Sequence, residues 1–269
     1  MADPMISVAG LTVAYGGRRV LDGVNLDIEP GEVMVLLGGS GSGKTTMLRH
    51  IIGLERPDSG TVRVRGVDIN SCSKKELKAI RCSMGVAFQE SALLDSFTIE
   101  ENVSLPAREL TELDDSVIEI MTYMKLALVG LGEAGELLPR ELSGGMRKRA
   151  AVARATALDP EILVFDEPSA GLDPIVAAGL DDLILLFKQA FHMTILVVTH
   201  EMASAFRIAD RIAMLENGSL IAVESKDAFR ASTNSYIRHF LDRVPEPIGA
   251  STAVRNRFRE LAGMTGGRA

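Results

Sequence analysis

The 269-residue chain is 46% hydrophobic and 24% charged, a balance that supports a sizeable core without metals or disulfides. Its formal net charge of -7 speaks against nucleic acid as the main partner, because phosphate backbones are held by basic surfaces. The two cysteines, Cys72 and Cys82, are too few for a secreted disulfide framework and point to a reducing compartment.

No stretch reaches the roughly 18 consecutive apolar residues that a membrane span needs. The best candidate, residues 180–200, is broken by Asp181, Asp182, Lys188 and His192. The first ten residues lack the basic and apolar regions of a signal peptide. The expectation is a protein kept in the cytoplasm that reaches a membrane only through a partner.

In chain order, "ISVAGLTVAY" and "RRVLDGVNLDIEPGE" alternate and read as strands joined by a Gly-Gly turn. "GEVMVLLGG" is a continuous apolar run, as suits a strand buried on both faces. A helix follows and stops near Gly53. "TVRVRGVDI" alternates and reads as an exposed edge strand, and "SMGVAFQ" as a further buried strand. From about 91 to 145 short amphipathic, acidic segments predict a helical insertion. "GGMRKRAAVARATAL" is a helix, and "EILVFDEP" a buried strand ending in two carboxylates. "DPIVAAGLDDLILLFKQAF" is a helix with Val176, Leu180, Leu183, Phe187 and Ala190 on one stripe. "MTILVVTH" is another buried strand, and "RIAMLENGSLIAVE" a hairpin turning at Asn217-Gly218. Alternating strands and helices imply an α/β fold, a mostly parallel sheet with helices on both faces, preceded by an antiparallel β part. One domain over 1–243 and a tail over 244–269 are expected. The tail's Arg255, Arg257 and Arg259 either contact a partner subunit or lie in solvent.

Three segments carry chemistry. Gly38-x-x-x-x-Gly43-Lys44-Thr45 matches the phosphate-binding loop between a strand and a helix. Glycines allow close backbone approach, and the helix N-terminus adds partial positive charge at the same place. Lys44 can then reach the β and γ phosphates while the Thr45 hydroxyl ligates Mg²⁺. Asp166, at the end of a strand expected to lie beside the first, is suited to hold Mg²⁺, and Glu167 to activate water. On an extended strand the two carboxylates would point to opposite faces. Ser143, Gly144 and Gly145 open a second helix as another glycine-rich anion site. Arg147, Lys148 and Arg149 crowd its first turn against the helix dipole, a conflict that a nearby anion would relieve. Ser143 as a plain N-cap is the other reading.

The set "GGSGSGKTT", Gln89 in "VAFQ", "LSGGM", "ILVFDEP", "SAGLDP" and "VVTHE" resembles the ATPase subunit of ABC transporters, over about residues 5 to 240. That resemblance implies a P-loop NTPase core that binds ATP and Mg²⁺ and hydrolyses ATP. The phosphate loop would comprise Gly38, Gly39, Ser40, Gly41, Ser42, Gly43, Lys44, Thr45 and Thr46. Tyr15 resembles the aromatic that stacks on adenine, an arrangement worth about 1–3 kcal/mol per base in single-stranded nucleic-acid complexes. Gln89 resembles the residue that senses Mg²⁺ and the γ phosphate, and Asp173 the one that links the two nucleotide sites. His200 falls at the switch histidine, which contacts the γ phosphate. By resemblance, Ser143, Gly144 and Gly145 complete the site of a second copy, so ATP is sandwiched in a homodimer.

Met146 stands where most of the family's signatures carry Gln. "ELSGGMRKRAAVARATALDPEILVFDEPSAGLDPI" resembles ATPases of Mla/Mce-type phospholipid transport systems of bacteria. The resemblance implies a peripheral subunit at the cytoplasmic face of the inner membrane of a Gram-negative bacterium. It would power phospholipid movement between the inner and outer membranes. Its partners would be an MlaE-like permease, an MCE-domain periplasmic protein and a STAS-domain protein, without nucleic acid. An importer ATPase for a small polar solute such as an amino acid, and a non-transport ABC ATPase, are the alternatives.

Overall fold

In the computed structural model, which describes residues 3–242, the N-terminal alternation becomes an antiparallel pair. β1 (Ile6–Tyr15) and β2 (Arg18–Ile28) bring Tyr15 opposite Arg18. Gly16 and Gly17 turn between them at φ 56° and 81°, the left-handed geometry of the turns that match strand twist. Ile6, Val8, Leu11 and Val13 send one face inward.

"TVRVRGVDI" is a hairpin, contrary to the expected single edge strand. Arg65 and Gly66, at φ 53° and 77°, separate β4 (Ser59–Val64) from the two-residue β5 (Val67–Asp68). The sheet order is β2-β1-β4-β5, so β4 is interior. Alternation correctly marks its one buried face, with Val62 and Val64 fully inside, but alternation carries no information about how many neighbours a strand has.

The second sheet comprises β3 (Val33–Gly38), β6 (Met84–Ala87), β7 (Ile162–Asp166), β8 (Thr194–Val198), β9 (Arg211–Glu216) and β10 (Ser219–Ser225). Its order is β10-β9-β3-β8-β7-β6, and all pairings are parallel except β9 with β10. Every residue of β3, β7 and β8 is buried, as central parallel strands require. Each fully buried aliphatic or aromatic side chain there contributes about 1.5–3 kcal/mol. The carboxylate strand does not adjoin the phosphate-loop strand as expected. Leu36 of β3 pairs with Val198 of β8, which pairs with Asp166 of β7. A crossover can skip a position, so chain order does not set strand order. Asn217 and Gly218, at φ 46° and 81°, make the expected hairpin.

The helices are α1 (Lys44–Ile51), α2 (Lys74–Cys82), α3 (Ile99–Leu110), α4 (Asp115–Leu128), α5 (Gly144–Ala155), α6 (Pro174–Phe191), α7 (Met202–Ile208), α8 (Lys226–Arg230) and α9 (Ser235–Leu241). α2 and α3 open on capping boxes, Ser73 with Glu76 and Thr98 with Glu101. Helices α3 and α4 fall within the expected insertion. Buried Asn102 of α3 ties the preceding loop down, accepting from Leu94 N and donating to the Leu94, Phe97 and Thr98 carbonyls. On α6 the buried side is Leu180, Asp181, Ile184 and Phe187. Val176 and Ala190 of the expected stripe lie exposed.

One compact unit extends to Phe229 and a second begins at Arg230. Of the second, the described part is chiefly α9, capped by Asn234 on the Tyr236 and Ile237 amides. The expected boundary at 243/244 and the arginine-bearing tail lie outside the described residues. No described helix is long and apolar enough to cross a membrane.

Candidate nucleotide-hydrolysis site

Gln89, the phosphate loop, Asp166, Glu167 and His200 all lie at or just beyond the C-terminal ends of β6, β3, β7 and β8. Neighbouring parallel strands discharge there, on the side where open α/β sheets bind ligands. The fold therefore gathers residues separated by more than 150 positions.

The loop from Gly38 to Gly43 is shaped by its own glycines. A Cβ on Gly38 would lie 2.4 Å from the Leu215 carbonyl oxygen and 2.6 Å from Ser42 Oγ. Gly43 adopts φ 108°, and a Cβ there would meet Leu21 Cδ2 at 2.8 Å. Side chains are thus excluded at both positions by backbone or close packing. Ser40, Gly41 and Thr45 are exposed along the crest. The buried Lys44 donates from Nζ to the Gly38 and Gly39 carbonyls at 2.8 and 3.1 Å. Burial lowers its pKa, while Glu167 and Asp166 act in the opposite sense. Buried Ser42 Oγ has no hydrogen-bond partner. Behind the loop, His50 Nδ1–H donates to the Thr46 carbonyl at 2.8 Å, since a carbonyl only accepts; its buried Nε2 is unpaired.

Asp166 closes β7 nearly buried, and its Oδ1 has no hydrogen-bond partner. Burial raises its pKa, helped by the adjacent Glu167 charge. Glu167 is not extended, contrary to the sequence reading: its φ is 47°, a strained value for a non-glycine residue. The turn takes its carboxylate toward the end of β8. Glu167 Oε2 accepts from Thr199 Oγ1 at 3.2 Å, His200 N at 3.3 Å and His200 Nδ1 at 2.8 Å. His200 is therefore held by its Nδ1–H, and its side chain is 54% exposed.

Tyr15 lies at the end of β1, 48% exposed, with its hydroxyl donating to Glu55. Arg49 of α1 binds the same carboxylate at 3.2 Å, so the aromatic ring is tethered to the helix that follows the phosphate loop. Hydrogen bonding to Glu55, ahead of burial, raises the Tyr15 pKa. Gln89 is exposed beyond β6.

Ser143 and Asp173 behave locally as caps. Ser143 Oγ accepts from Met146 N at 3.2 Å, and Asp173 Oδ1 accepts from Ile175 N and Val176 N at 3.0 and 3.1 Å. Both are exposed. A Cβ on Gly145 would meet Val176 Cγ1 at 2.6 Å, so this glycine lets α5 and α6 approach. The cations Arg147, Lys148 and Arg149 near the start of α5 find carbonyl oxygens. Arg147 donates to Leu142 O at 2.6 Å, Lys148 to Gln89 O and Glu167 O, and Arg149 to Val129 O at 3.4 Å. Sequence reasoning assigned nothing to Thr199 and no such bridge to Lys148. These partners are 32, 59 and 19 positions away, beyond any local signal.

Fold and site together define a nucleotide-hydrolysing cassette. The chain belongs to the ABC transporter family, whose profile, described as "ABC transporter", matches residues 21–170, and it is accordingly an ATP-binding ATPase. It is 44% identical over 247 residues to the "Probable ribonucleotide transport ATP-binding protein mkl" of Mycobacterium leprae, covering 91% of this chain and 71% of that protein. It is 38% identical to the "Intermembrane phospholipid transport system ATP-binding protein MlaF" of Haemophilus influenzae, covering 90% and 91%. The MlaF protein of Escherichia coli K12 is 36% identical, with 90% of each chain covered. Among solved structures, a dimeric post-hydrolysis state of the ATP-binding cassette MJ0796 bound to ADP and Pi superposes with a TM-score of 0.77. It is 30% identical and covers 82% of this chain and 99% of that one.

Proposed function

We propose that this chain is the ATPase subunit of a transporter that moves phospholipid between the inner and outer membranes. The observation carrying this reading is the likeness to two MlaF proteins over about nine-tenths of both chains, joined by Met146 in the signature turn. The more similar mkl relative is named for ribonucleotide transport, so cargo is what an experiment must separate. The test is the full chain assembled with its permease in vesicles. Fluorescent phospholipid should leave the vesicle in an ATP-dependent way and raise ATP turnover. Stimulation by ribonucleotides, with none by phospholipid, would overturn the cargo assignment.

Two copies act together in this reading, as the dimeric MJ0796 cassette supports. Exposed Ser143 and Gly144 at the start of α5, with Ile175 84% exposed at the start of α6, supply surface for that pairing. A membrane permease of the MlaE type would dock on the helical insertion. There α4 exposes Ile120, Tyr123 and Met124 at 62%, 64% and 62%, beside a groove of about 370 Å³ lined by Phe97, Arg108, Glu119 and Leu126. An MCE-domain protein and a STAS-domain protein complete the proposed assembly, with this subunit peripheral at the cytoplasmic face.

Within the site, Lys44 would exchange its Gly38 and Gly39 carbonyls for β and γ phosphate oxygens. Gly39 to Thr46 would present amides at the start of α1, where the helix dipole favours anions. Tyr15 would stack on the base. Glu167, held by Thr199 and His200, would take a proton from water as it attacks the γ phosphorus, while the bond to the bridging oxygen breaks and ADP leaves. His200 would contact the γ phosphate, and Asp173 would link the two sites. The residues present fit Mg²⁺: Asp166 offers an unpartnered buried oxygen, with exposed Thr45 and Gln89 as further holders. When bound, that ion neutralises charge on the β and γ oxygens.

A further inference from the structure

Beyond β6 the segment 89–92 bends with Ser91 and Ala92 at φ 63° and 50°, values that need support from their surroundings. α5 provides it. Lys148 Nζ donates to Gln89 O at 2.5 Å, and Arg154 donates from Nη1 to Ala92 O at 2.6 Å and from Nη2 to Ser91 O at 2.9 Å. Lys148 also donates to Glu167 O at 3.2 Å. One ammonium thus ties together the segment bearing Gln89, the turn bearing Glu167, and the helix that the Ser-Gly-Gly turn opens.

The placement is costly and therefore informative. Burial depresses the pKa of both Lys148 and Arg154. Glu90, Glu167 and Asp166 favour the charged form of Lys148, whereas burial is the sole cause acting on Arg154. Three ammonium donors suit two carbonyls from separate segments, and the flat guanidinium fork spans consecutive ones.

We propose that Lys148 and Arg154 are positioning residues for hydrolysis: they clamp the 89–92 segment and the Glu167 backbone to α5. The placement of this chain's own Gln89 and Glu167 then follows the helix whose N-terminus faces the second copy. The inference rests on the roles given above to Gln89 and Glu167.

The test uses the full chain, measuring ATP turnover, ATP affinity, Mg²⁺ dependence and amide exchange over 89–92. Lys148→Met should lower kcat by about 10- to 100-fold, as small misplacements of catalytic groups do. ATP affinity should hold while half-saturating Mg²⁺ rises. Arg154→Met should loosen exchange in 89–92 with a smaller loss of kcat. Lys148→Arg and Arg154→Lys should restore much of each property. Normal turnover with unchanged exchange in both Met variants would overturn the clamp. So would losses in all four variants that merely track melting temperature. Gln89→Ala and Glu167→Gln serve as references: if both turn over normally, the site reading falls and the clamp's purpose with it. If they fail while the Met variants do not, the clamp alone falls.

Discussion

At the start of α1, Gly41 and Gly43 carry positive φ, Leu21 and Leu215 wall Gly43, and Lys44 folds onto the loop's own carbonyls. At the start of α5, neither glycine of the Ser-Gly-Gly turn has positive φ, and exposed Ser143 caps the helix. A Cβ on Gly144 would find only Leu172 and Arg147 side chains, at 3.9 and 4.0 Å. Both are glycine-rich helix N-termini, yet one is walled by its own chain and the other is open. Closed walls pre-shape a loop around a ligand. An open turn has its remaining amides to offer to something outside the chain.

The largest test of this contrast is chemical. Glu167→Gln, at the closed site, should lower turnover about 10²- to 10⁴-fold, the usual contribution of a general base, while nucleotide still binds. Turnover within a few-fold of wild type would remove Glu167 from that role.

Next, Lys44→Ala should weaken nucleotide binding by about 1.5–3 kcal/mol, the range for hydrogen bonds to charged groups. Titration with a fluorescent ATP analogue checks it; unchanged affinity would mean that the ammonium stays on its carbonyls.

Adjacent glycines of the open turn should then part company. Gly145→Ala should destabilise the fold by about 1–3 kcal/mol through overpacking against Val176, read by denaturant melts. Gly144→Ala should melt like wild type and lose turnover only in the paired state. Equal melting losses in both would contradict the open-turn description.

The smallest effect concerns Asp166. Burial raises its pKa, so its ionised form costs stability above that pKa, and the cost vanishes as pH falls through it. Asp166→Asn should therefore stabilise the nucleotide-free chain at neutral pH by about 0.5–2 kcal/mol, with the gain shrinking in acid. A gain that grows on acidification would reverse the sign of that shift.

Much of the fold could be read locally. Two hairpins announced themselves through Gly16-Gly17 and Asn217-Gly218, because only left-handed backbone closes such turns. The apolar runs of β3, β7 and β8 marked central strands. Helix α2 passed unread although Ser73 and Glu76 spell its capping box. The resemblance to ABC ATPases, carried by motif order, proposed roles for Tyr15, Gln89, Asp173 and His200. It could not say that Glu167 leaves the strand in a left-handed turn, nor that Asp173 serves first as a cap; the N-cap reading of Ser143 came from the residues themselves.

By itself, the amino-acid sequence determined most of the element types, the phosphate-loop motif and the family, since these depend on neighbours within a few residues and on motif order along the chain. Tertiary structure alone decided that β8 divides β3 from β7, that β4 lies inside its sheet, and that Lys148 meets Gln89 and Glu167. Strand order and such contacts arise from packing between segments far apart in the chain, and no local pattern of side chains records which of the sterically allowed crossovers is taken.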